Sequence, residues 1–413
     1  MAFIKPFKAL RPGEKFAEKV AALPYDVMSI AEAREMSQGN PYSFLHVSRP
    51  EIDLSNEVDN YSAAVYEKGR ENLRTMIREG ILVKENTECY YVYRQIMGDV
   101  LQTGLVACAS VDDYLSGVIK KHELTRPDKE EDRVRHIDYL NANDEPVFYT
   151  YKSDPAISGI ITEITGGDPV YDFTTDDGVR HTLWMVDEQK IIDELTSRFA
   201  TIKTLYVADG HHRSAAASRV REIRKTGNPG HTGHEEYNYF LTVIFPDSEL
   251  NIMPYNRVVK DLNGLKITEY MTRLAEKFSV TPMGRGFAPG RQHQMGMYLD
   301  GKWYQIIPKH GSFNENDPVS RLDVSILQDN LLSPILGIRN PRTDQRIQFV
   351  GGIRGMLELE RLVDSGKYRV AFSLYHTSIN ELMDLADAGK IMPPKSTWFE
   401  PKLRSGLFIH ELV

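Results

Sequence analysis

One stretch limits the fold more than any other: Leu205-Tyr206-Val207-Ala208-Asp209-Gly210-His211-His212-Arg213-Ser214-Ala215-Ala216-Ala217. A short apolar run passes through Asp209-Gly210 directly into an alanine-rich helical pattern. Such a chain must place a buried strand end, a sharp turn and a helix N-terminus at one point. The small side chains Ser214, Ala215, Ala216 and Ala217 predict a helix pressed against a sheet. The first amides of that helix have no intrahelical partner, and the helix dipole adds about half a positive charge there. The turn is therefore a candidate anion site. Gly210 lets the backbone approach a ligand closely, and Arg213 offers a fork that suits phosphate oxygens. Three potential cations in a row, His211, His212 and Arg213, need something negative among them. Asp209 supplies one charge and a bound polyphosphate several. Asp209 equally suits a helix cap, a magnesium ligand or a carboxylate that orients a histidine. A zinc pair at His211 and His212 is disfavoured, because adjacent helical residues face different ways and the i,i+4 partner of His211 is Ala215. The anion-cradle reading, and any phosphotransfer resting on it, expects Gly210 and the amides after it to be neither sealed inside the protein nor already occupied.

The rest of the chain alternates helix and strand patterns. Tyr61–Glu79 reads as an amphipathic helix ended by Gly80, and Tyr90–Ile96 with Leu101–Val111 reads as a hairpin turning at Gly98-Asp99. Asp187 is the expected cap of a helix over Glu188–Phe199. Thr204–Ala208 and Tyr239–Phe245 read as buried strands, flanking a helix from about His211 to Lys225 that Gly227 stops. Past Asn256 come strands at Gln294–Leu299, Trp303–Ile307 and Arg369–Leu374, with helices at Ile267–Phe278 and Ser378–Ala388. A length of 413 residues suits two or three domains. With no repeat and no Pro/Gly/Ser linker, the fold class expected is mixed α/β (α+β), with a boundary near residues 256–265.

Composition removes several functions. Fifty Lys+Arg against 58 Asp+Glu give a net charge of −8, which disfavours a dedicated DNA-binding surface. The two cysteines, Cys89 and Cys108, exclude a disulfide framework and any Cys-rich metal site. The longest apolar run is far short of the ~20 residues that span a bilayer. A soluble, cytoplasmic protein is expected.

Two further segments are rich in donors. Lys120–Arg133 mixes phosphate donors with acids suited to Mg²⁺ or general-base work around a central Pro127, as in a loop that closes over a nucleotide. Within it Lys121 and His122 are the candidate nucleotide ligands and Glu123 a candidate metal ligand. A solvated charged face is the plain alternative. In Ile391–Leu407, two prolines extend the backbone so that Lys395, Ser396 and Thr397 present a cation and two hydroxyls, with Lys402, Arg404 and Ser405 adding donors. This could be an arm reaching the site, or a packed strand and turn.

The segments Pro24-Tyr25-Asp26-Val27, Asn40–Val47, Lys121-His122-Glu123-x-Thr125, Asp209–Arg213 and Met392–Leu407 resemble those of the domain-of-unknown-function family numbered 1015. The spacing Gly210-x-x-Arg213-x-x-Ala216 resembles the phosphate motif of the ParB/sulfiredoxin superfamily, and Asp209-Gly210-His211-His212-Arg213 the version in its free serine kinases. The resemblance implies a ParB/sulfiredoxin-like catalytic region over 1–255, with a large insertion at about 60–190. A C-terminal α/β domain over 256–413 would contribute an arm to the site. It implies ATP or ADP phosphates on Gly210, His211, His212 and Arg213, and Mg²⁺ at Asp209 or Glu123. A carboxylate near the N-terminus would take the hydroxyl proton: Asp26 first, with Glu32 and Glu51 behind it.

The function so implied is phosphorylation of a small hydroxyl metabolite, with free L-serine the leading acceptor, Asp209 and His212 among the catalytic residues, and a homodimer as one assembly. The alternatives are a ParB-like DNA partition or regulatory protein, for which no helix-turn-helix or basic face is evident, and a non-catalytic nucleotide sensor. A sulfiredoxin-type reductase is disfavoured because neither cysteine lies in the phosphate motif.

Overall fold

The apolar runs of the N-terminal half are too short to be helices and too continuous to face water, so they pair edge to edge under a helical cover. The computed structural model describes residues 1–284 and 286–413 and divides into two units, Met1–Leu250 with Pro401–Val413, and Asn251–Glu400. Residues 401–413 thus belong with the first unit.

The first unit holds a nine-stranded mixed sheet. Its strands are β1 (Ile4–Lys5), β2 (Tyr90–Met97), β3 (Val100–Ser110), β4 (Ile119–Lys120), β5 (Val147–Tyr151), β6 (Tyr171–Thr174), β7 (Arg180–Val186), β8 (Leu205–Asp209) and β9 (Tyr239–Pro246). They lie in the order β4-β8-β5-β9-β3-β2-β7-β6, with β1 on β3. The longer helices are α1 (Ile30–Ser37), α2 (Ala63–Arg78), α3 (Pro127–Leu140), α4 (Pro155–Ile164), α5 (Gln189–Phe199) and α6 (His211–Gly227). The hairpin of β2 and β3 turns at Gly98, in the left-handed region at φ 57°. Tyr90 and Val92 point with Leu105, Ala107, Val207, Ala216 and Phe240 into one core, while Leu10, Phe44, Val47, Leu73 and Ile409 form a second.

Two expectations change and a third element is new. Lys120–Arg133 is not one loop: β4 ends at Lys120, and from Pro127 the chain is α3, packed along α6. Proline suits a first helical position, and Val134, Ile137 and Leu140 supply a buried stripe. Asp187 does not cap α5; the N-cap is Glu188, with no side-chain cap bond. The third is α4, a helix that its pattern of Ile157, Ile160, Ile161 and Ile164 would support and that no expectation covered.

The second unit has a six-stranded antiparallel sheet of β10 (Tyr255–Val259), β11 (Phe278–Met283), β12 (Met295–Leu299), β13 (Lys302–Pro308), β14 (Ile347–Gly351) and β15 (Val370–Leu374), in the order β11-β13-β12-β15-β10-β14. Its longer helices are α7 (Ile267–Lys277), α8 (Gly355–Asp364) and α9 (Ile379–Asp387). Among the described residues no helix is long and apolar enough to cross a membrane.

Candidate functional site

Strand directions assemble the site. β8 and β4 are parallel, so the chain leaves both at the same end of the sheet. On its other side β8 pairs antiparallel with β5, with a register shift between Val207 and Asp209 that sets Asp209 opposite Phe148. Residues just after β4 and just before β5 therefore converge on the Asp209-Gly210 turn. His122 meets His211 edge to face, ring centres 4.4 Å apart. Asp144, Glu145 and Pro146 come up beside Arg213, whose Nη1 donates to the Pro146 carbonyl. The small residues act as expected: Ser214, Ala216 and Ala217 are buried, and Tyr149 and Ser214 hydroxyls bond at 3.0 Å.

The turn itself is tighter than the sequence suggests. Gly210 has φ 92° and ψ 32°, a conformation that favours glycine, and it is buried. Its N–H donates to Asp209 Oδ1 at 2.8 Å, and its carbonyl accepts from the Ser214 amide at 2.9 Å. A Cβ there would lie 3.1 Å from Arg213 Nε and 3.2 Å from Val147 Cγ1. The open Gly210 amide expected from the sequence is thus a closed one, because the aspartate before it folds back onto it. Among the described residues the amides of His211 and Arg213 have no acceptor in the chain.

Asp209 Oδ2 accepts from Lys402 Nζ at 3.0 Å. Burial opposes the ionisation of Asp209, but Lys402 and Arg213 outweigh it and hold the carboxyl well below the ordinary carboxylate range. Burial pushes His122 down to about 4, against the pull of Asp209. Burial and the neighbouring His122 also hold His211 well below its ordinary value. Both imidazoles are neutral at pH 7, so the turn does not carry three adjacent cations. Arg213 stays charged despite its burial because Asp26, Asp209 and Glu145 surround it. The residue is 7 % exposed, and its guanidinium braces the turn from inside through the Pro146 carbonyl, where the sequence suggested a phosphate fork.

The other candidates divide. Asp26 is exposed on the short turn Tyr25–Val27, within electrostatic reach of Arg213. Tyr25 N–H donates to Glu145 Oε1 at 3.0 Å, and Arg49 ties the Tyr25 carbonyl to the Glu51 carboxylate. Glu32 is spent on the capping box of α1, where its carboxylate accepts from Ser29 N and Oγ, each at 2.8 Å. His212 is half-buried at the second position of α6, and Glu123 is half-buried directly after His122. The exposed Lys121 lays its ammonium over the Tyr114 ring, 5.2 Å from the centroid.

Lys395, Ser396 and Thr397 lie in the second unit. There Ser396 Oγ donates to the Pro393 carbonyl, Arg257 donates to the Lys395 carbonyl, and Lys395 stands over the Tyr255 ring. Among the described residues no three His, Cys, Asp or Glu side chains gather as a metal cage.

The structure adds a buried ionic cluster that the sequence reading had not assembled. Arg133 bonds Asp132 through two nitrogens, at 3.1 and 2.9 Å, and stacks on Tyr25 at 4.0 Å. Tyr66 donates to Asp132, His136 pairs with Asp144 at 2.9 Å, and Ser405 donates to Glu145 at 2.9 Å. Burial, reinforced by Asp144, raises the Glu145 carboxyl above its ordinary value. A cavity of about 20 Å³ between Arg133, His136, Glu145 and Arg213 has room for one water. The usable signal was the i,i+3 and i,i+4 spacing of Arg133 and Asp132 to His136, which puts all three on the buried side of α3.

What this defines is a mixed α/β protein with a polar, strand-end site built from four separate segments. The chain matches the family model described as "Protein of unknown function (DUF1015)" over residues 4–325, and it belongs to that family. No curated protein matches the sequence. Among solved structures it is similar to a free serine kinase in complex with AMP, at 12% identity over 74% of this chain and 92% of that one, with a TM-score of 0.37. A free serine kinase in complex with ADP matches at 13% identity over 74% and 92%, TM-score 0.36. C-terminally truncated SbnI from Staphylococcus aureus matches at 12% identity over 74% and 87%, TM-score 0.38.

Proposed function

We propose that the chain is a nucleotide-dependent kinase that phosphorylates the hydroxyl of a small metabolite, with free L-serine the leading acceptor. The observation that carries this reading is the helix start at the end of β8. Two acceptor-less amides, His211 and Arg213, sit beside an ionised Asp209 that is already paired with Lys402. At TM-scores below 0.4 the likeness to the serine kinases carries no weight. The support is the Asp209–Arg213 motif and the chemistry around it.

On this reading the phosphates of ATP or ADP bind the His211 and Arg213 amides at the positive end of α6, with Lys402 and His212 as side-chain donors. Gly210 shapes the turn but is buried with its N–H spent on Asp209, so the reading rests on the His211 and Arg213 amides and not on Gly210. The residues suit a phosphate-borne Mg²⁺, which needs only one or two carboxylates, here Asp209 with Glu123. Bound there, Mg²⁺ would neutralise charge on the transferred group. Asp26, exposed and within electrostatic reach of Arg213, accepts the proton of the substrate hydroxyl.

The test is incubation with Mg²⁺, ATP or ADP and L-serine, with phosphoserine read by mass spectrometry. Nucleotide binding without turnover across a panel of hydroxyl-bearing metabolites would overturn the kinase reading and leave a sensor. Binding to DNA that fades steeply with salt would favour the partition-factor reading instead.

A further inference from the structure

A second cavity, of about 100 Å³, lies at the opposite end of β5 from the Asp209 turn and shares no lining residue with it. Its floor is apolar: Leu105, Ile157, Phe199 and Ile244, each buried, come from β3, α4, α5 and β9. Leu101 and Thr162, both exposed, mark the mouth. Two opposite charges stand on its wall. Arg94 Nε donates to Thr103 Oγ1 at 3.1 Å, with its guanidinium over the Trp184 ring. Glu249 takes the Thr103 N–H at 2.7 Å, a donor that β9 leaves uncovered because its pairing with β3 ends at Leu105. Thr103 thus holds a cation and an anion apart, and among the described residues the two form no ion pair with each other. Burial disfavours the charge on both, lowering Arg94 and raising Glu249. The Arg94 terminal nitrogens have no hydrogen-bond partner among the described residues.

We propose that this cavity binds a free α-amino acid with an aliphatic side chain, its carboxylate on Arg94, its ammonium on Glu249 and its side chain on the apolar floor. A zwitterion answers both half-buried wall charges at once, whereas an amine or a fatty acid answers only one of them. The apolar part of the ligand sets the size: a cavity of about 150 Å³ takes the six carbons of benzene, so about 100 Å³ takes the three or four side-chain carbons of valine or leucine, with the charged head toward Arg94 and Glu249. The site is independent of the proposed kinase chemistry.

The experiment is isothermal titration of the full chain, without nucleotide, with L-leucine and L-valine, and with isopentylamine and 4-methylpentanoate as single-charge analogues. Saturable binding of leucine or valine is expected, with each analogue about tenfold weaker or worse. Arg94→Met should weaken leucine binding about tenfold or more, and Ile161→Trp, which fills the cavity, should abolish it. Circular dichroism of both variants reports their folding. Asp209→Asn should leave leucine binding unchanged. Absence of saturable binding up to about 10 mM would overturn the proposal. So would undiminished leucine affinity in folded Arg94→Met, or its loss in folded Asp209→Asn.

Discussion

Gly406 closes the C-terminal segment over the first unit, and replacing it with Ala tests how that segment is held. The residue has φ 84°, and a Cβ there would sit 2.5 Å from Cγ of Phe44, which is fully buried. Ordinary contact begins near 3.4 Å, so the ring must retreat by about 1 Å into Leu10, Val20 and Ile409. The left-handed backbone costs an alanine about 1–2 kcal/mol, and overpacking a filled core costs about 1–3 kcal/mol more. Together Gly406→Ala should destabilise the first unit by about 2–5 kcal/mol. Gly117→Ala is the matched control, because Gly117 has φ 80° and nothing within 4 Å of the added carbon. Urea unfolding of both variants by circular dichroism then separates strain from collision, and the excess for Gly406→Ala should be about 1–3 kcal/mol. Equal losses for the two variants would refute the packing of Phe44 on Gly406.

Lys402→Met removes the cation that holds Asp209 ionised; nucleotide affinity measured by titration should fall roughly 10- to 100-fold, and an unchanged affinity would take Lys402 out of the site. His212→Ala should reduce both nucleotide affinity and turnover, and loss of affinity alone would fit a sensor. His122 has a folded pKa near 4 against 6.5 in the free side chain, so the unfolded chain binds the extra proton. Stability should therefore fall as pH drops from about 6.5 to about 4, by up to about 3 kcal/mol from this residue. His122→Gln should flatten the decline in urea unfolding, and the same slope in both proteins would contradict a buried neutral imidazole.

Much of the architecture can be read from the sequence because its signals are local. The helix Ala63–Arg78, the hairpin at Gly98, and the strand, turn and helix at Leu205–Gly227 each follow from periodicity and one glycine. The helix α3 is obscured because its exposed face is densely charged, and charge runs read equally as loop. Lys121 and Glu32 carry suitable chemistry, yet one lies over Tyr114 and the other caps a helix. Residue type cannot tell these uses from ligand binding, because both satisfy the same donors and acceptors. Glu145 is the opposite case: Asp144-Glu145-Pro146 has no motif, and only the pairing of β5 with β8 brings it to Arg213.

The sealed Gly210 also changes how an anion cradle here has to work. A glycine amide aimed at a ligand would make the site a property of the turn alone. With that amide bound to Asp209, the carboxylate presents its other oxygen to Lys402, a residue 193 positions away in sequence. Charge at the turn then depends on the C-terminal segment, which the chain fastens elsewhere: Ser405 pairs backbone with Ala22, and Arg404 donates to Thr175 at 3.0 Å and pairs with Asp177. On the function proposed above, a phosphate at the His211 and Arg213 amides would meet Lys402 already positioned by Asp209, so less side-chain entropy would be lost on binding than for a free lysine. The motif thus supplies the helix start, and the segment from Pro401 onward supplies the cation.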